Sequence, residues 1–161
     1  MMLPDFMPGD VLLYRGDGLL SQIIRLKTWS DVSHAELYVK PGFTVTAKLL
    51  GGVNYYPVGD AAGLVYVYRP RSSLLFNADR AGWMFDKFMR GQRYDTFGLV
   101  SAFYAAKSGA RDRAFCSETV TRVLRYGGIE PFAPDFDADH VAPAQFKQTP
   151  VLTRVWSREE S

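Results

Sequence analysis

"SHAELYVKPGFTVTAKL", residues 33–49, reads as two strands and the turn that joins them. Strict alternation places Ala35, Leu37 and Val39 on one face of the first strand, and His34, Glu36 and Tyr38 on the other. Pro41 and Gly42 mark the turn, and "FTVTAKL" (43–49) returns as the second strand. Two alternating strands with so short a connection are antiparallel.

Outward from this pair, the first half of the chain reads mainly as strands. "DVLLYR" (10–15) is a short apolar run between Gly9 and Gly16, and "GG" at 51–52 opens "VNYYPV". "GLVYVYRP" (63–70) is β-branched and aromatic, and Pro70 ends it. Between the first two strands, "LLSQIIRLKTW" (19–29) has helical apolar spacing. The second half reads as helices: 77–92 with Asn77 as cap and Gly91 as its close, 96–109 between Thr96 and Gly109, and 115–128 ending in a glycine pair. Residues 127–146, rich in proline and aspartate, read as a long ordered loop, and "PVLTRVW" (150–156) as a last strand. Strands first and helices afterwards predict an α+β domain, with helices packed on a mostly antiparallel sheet.

The 161 residues are expected to form a single domain, 1–161. Hydrophobic residues make up 47% and charged residues 22%, a globular composition. A net charge of +2 gives no electrostatic reason for nucleic-acid binding. No apolar run approaches the length of a membrane span, and "MMLPDFMPGD" lacks the basic start of a signal peptide. A cytoplasmic protein without stable membrane insertion is therefore expected, and a phage setting would suit a lone domain. One cysteine excludes an internal disulfide.

That cysteine, Cys116, falls at the start of the third helix, on a stripe with Val120, Val123 and Leu124. There it is either a small core residue or a nucleophile, because free N–H groups and the helix dipole favour a thiolate. Of the two histidines, His34 lies on the polar face of its strand, which is either solvent-facing or a site wall. His140 sits among aspartates as a surface residue, in a loop that would hold a base less rigidly than a strand. One cysteine and two distant histidines lack the close spacing of a zinc site, and no phosphate-binding glycine loop is present, so neither metal nor cofactor is expected. Tyr14 and Trp29 fit core positions better than a groove wall.

"PGDVLLYRG", "SHAELYV", "GGV", "GQRYD" and "FCSETVTRVLRYGGI", in this order over residues 8 to 130, resemble the circularly permuted, YiiX-like branch of the NlpC-type papain-like superfamily. The lecithin–retinol acyltransferase group is a distant relative of that branch. The resemblance implies a Cys–His pair, with Cys116 as nucleophile and His34 as base. The family's third polar residue stands on the strand after the histidine, which points to Thr46; Lys48, two residues on, would repel an imidazolium there. Glu36 is the alternative third member, although about 7 Å along the strand is long for a direct bond, and a plain solvated carboxylate is its simpler reading. Tyr94 matches a family position near the site, or with Asp95 caps the following helix. The implied activity is a cysteine hydrolase working through an acyl-thioester, cleaving amide bonds of cell-wall peptides. The alternatives are a lipid acyl hydrolase or acyltransferase, and an inactive binding domain on the same fold. The expected partner is thus a peptide or acyl substrate.

Overall fold

Val11–Tyr14 (β1) is four apolar residues buried on both faces, and the sheet is built around it. The computed structural model describes residues 3–16, 21–22, 25–26, 29–59, 62–94 and 113–158. Within them the sheet has six antiparallel strands in the order β4-β3-β2-β1-β5-β8. Its other members are His34–Lys40 (β2), Phe43–Lys48 (β3), Gly52–Pro57 (β4), Leu64–Pro70 (β5) and Leu152–Ser157 (β8). A short parallel pair, Arg93–Tyr94 (β6) and Arg113–Ala114 (β7), forms a second sheet beside β4.

Alternation decides what each face meets. Val11 and Leu13 of β1, Ala35, Leu37 and Val39 of β2, and Val45 and Ala47 of β3 enter the main core. Two helices close it: Ala81 and Phe85 come from Ala78–Phe88 (α1), and Val120, Val123 and Leu124 from Cys116–Tyr126 (α2). The opposite face carries a smaller cluster of Leu12, Tyr14, Tyr38, Leu64 and Val67, backed by Phe6, Val58 and Trp156. A sheet covered on both sides explains why β1 is a continuous apolar run. It also removes the solvent-facing option for the polar face of β2, where Glu36 is 2% exposed.

The helix over 77–92 is shorter than the sequence suggests. Asn77 caps α1 as expected, its side chain accepting from the Arg80 N–H at 2.9 Å. The helix then stops at Phe88, because the backbone that follows bonds β4 instead: Gly91 N–H to Val53 O, and Val53 N–H to Gln92 O, each at 2.8 Å. This close approach requires glycine at position 52, with φ 61°, since a Cβ there would collide with the Gln92 carbonyl.

Of the helix expected over 19–29, residues 21, 22, 25 and 26 are helical, and the others lie outside the described residues except Trp29, which is in a turn. The helix expected over 96–109 lies wholly outside them. The loop over 127–146 holds two short 3-10 segments, Ala138–His140 and Pro143–Lys147. It is tied to α2 by Arg122 to Asp139 at 2.8 Å, by Arg125 to Glu130 at 2.8 Å, and by the Ser117 hydroxyl donating to Val141 O.

Candidate functional site

Cys116 is the first residue of α2 and His34 the first of β2, so the packing of α2 across β2 and β3 brings two element ends together. Cys116 is buried beside the His34 imidazole, close enough for the two side chains to set one another's charge. The backbone N–H groups of Ala35 and Ser117 also favour a charged sulfur. Tyr14 stands opposite His34 in the β1–β2 register, with ring centroids 6.2 Å apart.

Glu36 completes the chain of contacts. Its Oε1 lies 3.2 Å from His34 Nε2, which leaves Nδ1 of the ring for the thiol. The same oxygen meets Lys48 Nζ at 3.0 Å, and Oε2 accepts the Thr44 hydroxyl at 2.7 Å. The direct Glu36 contact corrects the expectation of a gap too long to bridge. Side chains lean along a strand, and the reach of glutamate closes the distance between residues i and i+2. Nor is Glu36 a solvated carboxylate.

Thr46 is fully buried, and its hydroxyl donates to Ala35 O at 2.7 Å, so it clamps β3 to β2 and does not touch the imidazole. Lys48, expected to repel an imidazolium, is instead paired with the carboxylate beneath it. His140 is 65% exposed and faces Asp137, with Nδ1 3.6 Å from its carboxylate. Trp29, read as core, is 96% exposed, whereas Tyr14 is buried. Tyr94 pairs with Ala114 through its backbone, and Asp95 lies outside the described residues. Sequence reasoning missed Thr44 and the pairing of Lys48. The available signal was alternation along "FTVTAKL", which puts residues 44, 46 and 48 on the face that His34 and Glu36 share.

The charges reinforce one another. Burial pushes the Cys116 thiol up, but the His34 charge and hydrogen bond and the two N–H groups outweigh it, and its pKa is lowered. For His34, burial pulls down, while the Cys116 charge and hydrogen bond and the Glu36 contact raise its pKa to about 9. Burial would raise Glu36, yet His34, Lys48 and Thr44 hold it down at about 2. A lowered thiol pKa beside a raised imidazole pKa favours transfer of the thiol proton to the ring. Among the described residues, no group of three or more His, Cys, Asp and Glu side chains is arranged to hold a metal ion. None of the described helices is long and apolar enough to cross a membrane.

No family model matches the chain, and no curated protein does. Among solved structures, it resembles the metalloprotein YiiX from Escherichia coli O157:H7, a DUF1105 protein. The two share 21% identity with a TM-score of 0.66, over 94% of this chain and 97% of YiiX. At that identity the likeness establishes a shared α+β fold.

Proposed function

We propose that the chain is a thiol hydrolase of the papain-like, NlpC type, with Cys116 as nucleophile, His34 as general base and acid, and Glu36 as the group that orients the imidazole. The observation that supports this most strongly is the unbroken contact chain from the thiol at a helix start, through His34, to a buried carboxylate. The thiolate attacks a carbonyl carbon, and the first turn of α2 favours the charge that develops on the oxygen. The C–N or C–O bond breaks, and His34 gives its proton to the leaving amine or alcohol. Water then attacks the thioester, His34 takes the water proton, and the Cys116 thiolate leaves as the acid is released.

Amide bonds of cell-wall peptides are the first substrate class under this reading. Acyl esters of lipids are the second, because Leu49 and Leu50, which follow Lys48 in the β3–β4 turn, are 55% and 99% exposed and offer an acyl chain an apolar contact. YiiX is named a metalloprotein. In this chain a divalent cation on His34 and Glu36 would have to displace the Lys48 ammonium from Glu36 Oε1, so the described residues suit a proton network better than a metal centre.

The test is the rate of iodoacetamide alkylation of the single cysteine from pH 4.5 to 10, in wild type and His34→Ala. Fast labelling near pH 6 that His34→Ala reduces by tenfold or more is expected. Labelling that rises only above pH 8 in both proteins refutes the reading and leaves Cys116 as core filler. Hydrolysis of peptide amides and of acyl esters, compared with Cys116→Ser, then separates the two substrate classes.

A further inference from the structure

Lys48 is a partly exposed residue whose ammonium reaches an almost wholly buried carboxylate: the side chains are 36% and 2% exposed. An ion pair between two exposed groups contributes little. Here one member has given up its water, so its other contacts must replace that hydration. Glu36 Oε1 is shared between Lys48 at 3.0 Å and His34 at 3.2 Å, and Thr44 holds Oε2. Lys48 is itself steered, its ammonium lying over the Tyr56 ring at 4.5 Å from the centroid.

We propose that Lys48 is a positioning residue that acts through Glu36: it fixes the carboxylate against His34 and offsets part of its charge, so that the imidazole can both take and release its proton. The inference rests on the thiolate–imidazolium reading of the site. A carboxylate serving His34 alone would stabilise imidazolium more strongly and slow its return to the base form that activates water. With Lys48 on the same oxygen, His34 is oriented without being locked in its charged state. Among the described residues, the charged and titratable groups facing this pair are Tyr14 from β1, Lys48 from β3, Tyr56 from β4 and Cys116 from α2. Burial and the Glu36 charge raise the pKa of both tyrosines, so they stay neutral, and Lys48 is the one described cation set against Glu36 besides His34 itself.

The experiment is the two-step pH profile of Cys116 alkylation in wild type, Lys48→Met, Lys48→Gln, Lys48→Arg, Glu36→Gln and the Glu36→Gln/Lys48→Met double variant. Removing the positive charge should move the alkaline step, where His34 loses its proton, up by about one pH unit, and the acid step by less. Lys48→Arg should keep the wild-type profile. In the Glu36→Gln background, Lys48→Met should add no shift. The role of Lys48 is overturned if Met and Gln leave a His34-dependent profile unmoved, or if Arg shifts it as far as Met does. It is also overturned if the same shift persists without Glu36, since Lys48 would then act on the imidazole directly. A wild-type profile independent of His34 overturns both this inference and the hydrolase reading.

Discussion

At the scale of single residues, the site turns on which neighbour the imidazole meets. Glu36→Gln keeps the shape and removes the charge that, after that of Cys116, raises the His34 pKa, so alkylation of Cys116 near pH 6 should fall several-fold. The same substitution has a signature in stability. The folded pKa of Glu36, about 2, lies below its usual 4.5, so its contribution is present above pH 4.5 and is lost as pH falls toward 2. Acid denaturation of wild type should therefore be steeper between pH 4.5 and 2 than that of Glu36→Gln, as read by circular dichroism. Thr46→Val is the contrasting case. It leaves the Ala35 carbonyl without its partner, at a cost of about 1–3 kcal/mol, with no change in the pH profile of the thiol. Cys116 and His34 were legible in the sequence because the chain offers one thiol and only two imidazoles, and only one of those lies on a strand. Which residue meets the other side of the imidazole was legible only as a choice between Thr46 and Glu36. Thr46 and Glu36 occupy the same face, and what separates them is a hydrogen bond from Thr46 to a neighbouring strand's carbonyl, which no sequence pattern reports.

At the scale of elements, α2 is fastened at both ends. Glu118 reaches back to the Phe115 N–H at 3.2 Å and pairs with Arg122 at 2.8 Å, and Arg122 passes the charge on to Asp139. Burial and the Asp139 charge push Glu118 up to about 7. A carboxyl raised in the folded state binds its proton more tightly there than when unfolded, so its contribution declines as pH rises from 4.5 to 7. Glu118→Gln retains a side chain that can cap and cannot ionise. Its thermal midpoint should change less than that of wild type between pH 5 and 7.5, and an equal change in both would show that Glu118 is not the titrating group. Element boundaries were legible where a local cap sets them, as at Asn77. They were not where a partner strand does: α1 ends early because Val53 takes the backbone bonds that would have continued it.

At the scale of the whole molecule, the strands and the α+β class could be read from alternation, whereas their order could not. Consecutive strands β1 to β4 are neighbours in sequence order, which hairpins predict. The placement of β5 against the other side of β1, and of β8 against β5, depends on pairings far apart in the chain. The polar face of β2 is covered for the same long-range reason. Truncation before Pro150 should remove β8 and destabilise the sheet, and size-exclusion chromatography should show the shortened protein associating with itself through the uncovered edge.

That edge has a history during synthesis. A ribosome makes residues 64–70 more than eighty residues before their partner at 152–157. Throughout that interval the backbone of Tyr66 and Tyr68 is open on one side, on a nascent chain that already carries His34 and, later, Cys116. Cys116, at the start of α2, is thus made before the strand that covers β5, and a chain terminated between the two would carry its thiol on a sheet with an open, adhesive edge.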